Sequence, residues 1–124
     1  MKKRGRLTLL LLSLLLFSNT AQAETIGRLI VFTSAYCPYC EAFMRDVGGV
    51  YGKTTVGKHF PMTQVDSHDP PKAFEELSWT IRFFPTFLVL DKEGKRLALF
   101  RGYRGEEFFW GDMERLMNKT VEQE

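Results

Sequence analysis

The chain has 124 residues, 17 of them lysine or arginine and 15 aspartate or glutamate, and is 44% hydrophobic and 14% aromatic. That is one domain's worth of sequence and too apolar for a disordered chain. Two cysteines are too few for a disulfide-laced mini-protein or for a four-cysteine zinc or iron–sulfur site. The formal charge of +2 rests on Lys2, Lys3, Arg4 and Arg6. From residue 24 onward thirteen basic residues stand against fifteen acidic ones, with no basic stripe of the kind that binds nucleic acid.

Residues 1–23 read as a cleavable secretory signal. A basic start (Lys2 to Arg6) leads into an apolar run, Leu7 to Phe17, and a polar tail ending Ala21-Gln22-Ala23, with the cut expected after Ala23. The alternative is a membrane anchor, but eleven apolar residues fall short of the roughly 20 that span a bilayer. Residues 24–124 are therefore expected to be one exported, soluble, monomeric domain. Its cysteines would sit in an oxidising compartment, the periplasm.

Arg28 to Thr33 is a short apolar run that suits a strand buried on both faces. Pro38 opens a helix that runs to about Val47 and ends at Gly48-Gly49. Residues 50–60 hold two glycines and little periodicity, and read as loop with a short helical turn. Met62 to Asp66 is a second strand. Asp69-Pro70-Pro71 starts a short helix through about Ser78, with Asp or Ser capping before it and Pro in its first turn. Thr86 to Leu90 is the clearest strand, Asp91 to Gly94 a hairpin turn, and Lys95 to Arg101 the returning strand. From Glu106, Phe109, Met113, Leu116 and Met117 fall on one face of a closing helix. The order predicts an α/β domain, a mixed sheet of about four strands with helices on its faces.

The sharpest chemical feature is Cys37-Pro38-Tyr39-Cys40. Two cysteines three apart at a helix start can close a small disulfide, and the first sulfur meets unpaired helix N–H groups that favour thiolate over thiol. Cys37 is then the attacking thiolate and Cys40 the resolving one. Two alternatives stand beside this. A purely structural staple would close so short a loop that it constrains the unfolded chain little. A zinc site would need His59 and His68, whose spacing from the cysteines matches no common pattern. Neither a metal nor any cofactor beyond the thiols is expected, and both histidines read as loop residues.

A strand, then Cys-Pro-Tyr-Cys opening a helix, then Ile81-Arg82-Phe83-Phe84-Pro85-Thr86 before an apolar strand, resembles the thioredoxin superfamily over nearly all of residues 28–118. The resemblance implies a cis Pro85 lying against the disulfide. It further implies that Phe84 offers backbone hydrogen bonds to a substrate chain, and that Gly102 lets the substrate approach closely. Tyr36, Pro38 and Tyr39 complete the expected substrate-binding set. The likeness has departures. The extra leading strand and helix of full thioredoxins are missing, which makes the domain the minimal, glutaredoxin-sized version. Their buried acid on the strand before the motif falls at Val31; Glu41 is adjacent to the motif, but a helix-surface Glu is ordinarily just solvated. Tyr36 replaces the usual Trp, and the Pro-Tyr pair is typical of glutaredoxins, which admits glutathione chemistry.

A narrower likeness joins Tyr51-Gly52-Lys53-Thr54 with Gly57, Val65 to Pro70 and Gly102-Tyr103-Arg104-Gly105-Glu106-Glu107-Phe108-Phe109-Trp110. It is similar to the periplasmic thioredoxins of bacterial sulfur-oxidation (Sox) systems, which act on the cysteine of a sulfur-carrier protein. The implied activity is reduction of a periplasmic protein disulfide, with re-reduction by a membrane electron donor. The rivals are a disulfide-forming oxidase or glutaredoxin-like protein of the same fold, and a non-catalytic partner-binding module. Arg101 and Arg104, flanking Gly102, either face an acidic partner or a glutathione carboxylate, or form a solvated rim.

Overall fold

The computed structural model describes residues 22–124. The signal segment expected over residues 1–23 lies, but for its last two residues, outside the described residues. The first strand, β1 (Gly27–Thr33), is followed by helix α1 (Pro38–Phe43), which continues without a break into a π-helical turn over Met44–Gly48. A 3-10 turn (Tyr51–Lys53) and a short helix α2 (Thr55–His59) lead to β2 (Met62–Asp66). Next come a 3-10 turn (Lys72–Phe74) with helix α3 (Glu75–Thr80), the hairpin β3 (Thr86–Asp91) and β4 (Arg96–Arg101), and the closing helix α4 (Glu106–Glu122). No helix among the described residues is long and apolar enough to cross a membrane.

The strands form one four-stranded sheet in the order β2-β1-β3-β4, with β1 parallel to β2 and antiparallel to β3, and β3 antiparallel to β4. The mixed sheet follows from the connections. A crossover through α1 and α2 returns the chain parallel, whereas the short Asp91–Gly94 turn can only return it antiparallel. Asp91 organises that turn by accepting from the N–H groups of Glu93 and Lys95 at 3.0 and 2.8 Å.

Alternation along the two central strands divides the core. Leu29 and Val31 face Val89 and Phe87 across the β1–β3 register, and they pack with Phe43, Val47, Tyr51, Phe109 and Met113 from α1, the π-helical and 3-10 turns after it, and α4. Ile30 and Phe32 point the other way with Leu88, Leu90 and Val65, against Ile81, Phe74 and Leu77 around α3. Apolar side chains on both faces explain why β1 and β3 read as continuous hydrophobic runs. Phe43 anchors α1 to this core, in edge-to-face contact with Phe87 at 4.8 Å, Phe109 at 5.1 Å and Tyr103 at 5.5 Å.

Two local expectations are corrected. The Asp69-Pro70-Pro71 segment does not cap a helix. Proline disfavours helical geometry in the residue before it, and Pro71 itself is extended (φ −56°, ψ 146°), so helical structure starts only at Lys72. Residues 50–60 are also more ordered than a loop. Thr54 caps α2 by accepting from the Gly57 N–H at 3.0 Å, and the buried Tyr51 hydroxyl donates to the Phe60 carbonyl at 2.8 Å.

Candidate active site

Cys37 ends the turn that leaves β1 and is the residue from which α1 starts; Pro38, which has no N–H to leave unpaired, takes the first helical position. Cys37 and Cys40 are joined by a disulfide, with their Cα atoms 5.2 Å apart. The Cys40 backbone N–H donates to the Cys37 sulfur at 3.1 Å. Cys37 is part-exposed, whereas Cys40 is 6% exposed and faces the protein interior. The Cys40 N–H, at the start of the helix, thus points at the outer sulfur, where it stabilises negative charge.

Strand register brings the second part of the site to the first. Phe32, at the end of β1, pairs with Thr86 at the start of β3, so the Cys37 turn and Pro85 lie at the same end of the sheet. The Phe84–Pro85 peptide bond is cis and Pro85 is buried. Thr86 fixes this turn by donating its hydroxyl to the Phe83 carbonyl at 2.6 Å. The backbone of Phe84 takes no hydrogen-bond partner outside the regular elements among the described residues. Gly102 closes the corner: Thr86 pairs with Arg101, and the Gly102 N–H donates to the Pro85 carbonyl at 2.8 Å. Its φ of +78° lies in the left-handed region, which glycine enters at no steric cost.

Around these atoms the surface is aromatic. Tyr36, Tyr39 and Phe83 are exposed, Tyr36 completely so, and Tyr36 holds a φ of +56°. A bulky residue in left-handed geometry with no packing to compensate is the kind of local strain that clusters at functional positions. Beside the disulfide an open groove of about 220 Å³ is lined by Thr33, Ser34, Glu41, Met44 and Gln64 along with Tyr36 and both cysteines. Thr33 is held there by Gln64, which donates to its hydroxyl at 3.3 Å. Val31 is fully buried in the core beneath α1, so no carboxyl occupies that position.

The histidines stand apart from this arrangement. His59 bonds the Glu24 carbonyl near the start of the described chain, and His68 lies in the turn after β2. Among the described residues no group of three or more His, Cys, Asp or Glu side chains is placed to hold a metal ion. The tie between the Gly102 corner and the π-helical turn after α1 leaves no signal in the local sequence. The Tyr103 hydroxyl donates to Asp46 in the π-helical turn at 3.1 Å, across 57 positions of sequence, a separation that no local pattern spans. Burial first, and then this bond and the Asp46 charge, push the Tyr103 pKa up to about 12.

A Cys-X-X-Cys disulfide at a helix start, facing a cis-proline turn at one end of a small mixed sheet, defines a thiol:disulfide oxidoreductase of the thioredoxin type. Comparison with known proteins agrees: the model of the thioredoxin-like domain family matches residues 18–116, and the chain belongs to that family. Among solved structures it is similar to the periplasmic thioredoxin SoxS of Paracoccus pantotrophus. The two are 28% identical with a TM-score of 0.63, over 74% of this chain and 96% of that one. A thioredoxin of Thermus thermophilus (22% identity, TM-score 0.62, 81% and 80% covered) and one of Malassezia sympodialis (21%, 0.55, 76% and 77%) share the fold. No curated protein sequence matches significantly.

Proposed function

We propose that this oxidoreductase is exported and works as a reductase of a periplasmic protein disulfide. The observation that carries the mechanism is the asymmetry of the two sulfurs: Cys37 part-exposed and facing a backbone N–H donor, Cys40 buried one turn inside. In the reduced protein the Cys37 thiolate attacks one sulfur of the substrate disulfide, forming a mixed disulfide and releasing the other sulfur as a thiolate. The Cys40 thiolate then attacks the Cys37 sulfur, which re-forms the Cys37–Cys40 bond and releases the second substrate thiolate. Two electrons pass to the substrate, so each cycle needs two from a donor. In an oxidising compartment that donor is a membrane protein carrying electrons across the inner membrane.

The substrate chain lies between Tyr36, Pro38 and Tyr39 on one side and Phe84, Pro85 and Gly102 on the other. There the free Phe84 backbone can pair with it as an added strand. The likeness to the periplasmic thioredoxin SoxS supports the periplasmic location, and the resemblance of the Tyr51–Thr54, Val65–Pro70 and Gly102–Trp110 segments to sulfur-oxidation thioredoxins supports the sulfur-carrier protein as the substrate. Trapping tests the reading. A Cys40→Ala variant expressed with its leader should accumulate, through Cys37, a mixed disulfide with an exported cysteine protein. Acid-quenched alkylation of the wild type in cells should find the pair mainly reduced. A mainly oxidised pair would instead make the protein an oxidase, and a Cys37→Ser variant with undiminished function would make it a binding module.

A further inference from the structure

We infer that the β4 side of the reactive disulfide docks an acidic segment of the protein substrate, read by Arg101 and Arg82. This rests on the reductase reading above and adds the chemistry of the partner. At the active end of the sheet the strand termini run Asp66, Thr33, Thr86, Arg101 from β2 to β4. The disulfide follows from β1, near the middle, and the charges divide around it. Asp66 and the groove-lining Glu41 stand on the β2 side.

On the β4 side stand Arg82, Arg101 and Arg104, with the acids Glu106 and Asp112 gathered at the Tyr103–Arg104 end of the corner. Arg101 is exposed, pairs with the residue after Pro85, and precedes the Gly102 N–H that bonds the Pro85 carbonyl. Arg82 precedes Phe83-Phe84-Pro85, and its guanidinium is fixed by donating to the Trp79 and Ile81 carbonyls at 2.6 and 3.2 Å. Among the described residues neither arginine has a carboxylate within 4.0 Å. Arg104 differs: it lies 4.5 Å over the Phe108 ring and 3.9 Å from Asp112, so its charge is partly balanced.

Two unbalanced cations therefore bracket the proline turn in a domain whose residues from 24 onward carry more acids than bases. A chain paired with Phe84 meets the turn that Arg82 precedes in sequence and that Arg101 adjoins through its pairing with Thr86. Carboxylates there gain two partners, whereas lysines are repelled, so the surface selects by sign as well as by attraction.

The test uses the purified, reduced protein and two disulfide peptides that differ only in Glu or Gln beside the cysteine, with oxidised glutathione as a third substrate. The Glu peptide should be reduced about two- to fivefold faster at low salt, the range of an exposed ion pair, and the advantage should fade as salt screens it. Arg101→Gln should shrink the ratio. Arg101→Glu should reverse the order of the Glu and Gln peptides, an outcome that misfolding cannot produce. Equal rates for the Glu and Gln peptides in the wild type would overturn the inference and leave the reductase reading intact; no reduction of either would remove both. An Arg101-dependent preference for oxidised glutathione over the Glu peptide would reassign the surface to glutathione and so overturn the proposal.

Discussion

Gly102 separates backbone strain from substrate clearance, because a methyl group at its Cα would meet nothing within 4 Å of the protein's own atoms. The folded-state cost of Gly102→Ala is therefore the left-handed backbone alone, at φ +78°, about 1–2 kcal/mol. Loss of glycine's freedom in the unfolded chain returns about 0.4–1 kcal/mol. The net is a destabilisation of about 1 kcal/mol, which lowers the urea midpoint by about 0.5–1 M for a slope of about 1–2 kcal/mol per molar. On the proposed substrate path, however, the new methyl group would stand where the substrate chain passes Pro85. We predict that the second-order rate with a protein or peptide disulfide falls at least tenfold, while exchange with dithiothreitol, which needs no groove, falls much less. Paired urea titrations and stopped-flow rates on the oxidised and reduced protein measure both quantities. A full rate on the peptide substrate would refute the placement of the groove, and a stability loss above about 3 kcal/mol would refute the claim that the corner is unpacked.

Three further predictions concern the same framework. In the reduced protein at pH 6, iodoacetamide should label Cys37 and not Cys40, because only Cys37 is both accessible and faced by a helix N–H, that of Cys40; peptide mapping decides it. Tyr103 ionises near 10 in the unfolded chain but only at about 12 when folded. Its contribution is thus complete below pH 10 and lost as pH rises toward 12, so Tyr103→Phe should flatten part of the alkaline fall in melting temperature. Tyr51, whose hydroxyl burial also pushes up, supplies a further part, and an unchanged fall in Tyr103→Phe would contradict the assignment. Gly57→Ala would place a methyl group 1.9 Å from the Tyr51 carbonyl oxygen. Overpacking of this kind costs about 1–3 kcal/mol, and a thermal melt equal to the wild type's would show that α2 shifts freely.

The elements most legible in the sequence are those whose hydrophobic pattern is local. Thr86 to Leu90 and Met62 to Asp66 could be bounded within a residue because turn-forming residues punctuate them. The face of α4 could be read from Phe109 and Met113 because helical periodicity survives without knowing its partner. Asp69 misled for the opposite reason. Its identity suits a cap, but two consecutive prolines hold the chain extended until Lys72. The order of residues 50–60 was hidden because it depends on Tyr51 reaching the Phe60 carbonyl and on a Thr54 cap in a segment without periodicity.

The site shows the same division in sharper form. Cys37 and Cys40 announce their chemistry through spacing alone, since one helical turn brings two sulfurs together wherever the helix lies. Pro85 and Gly102 are unremarkable locally; a proline before a strand and a glycine after one occur in many folds. They become part of the site only through register, when Phe32 pairs with Thr86 and Thr86 with Arg101. Register is set by which faces of β1 and β3 are buried, and a slip of one residue would turn Val31 and Phe87 away from Phe43 toward the α3 side. The aromatic core beneath α1 thus carries the alignment of the disulfide with its proline turn. A cavity-forming change such as Phe43→Ala, though it touches no reacting atom, acts on both halves of the site at once.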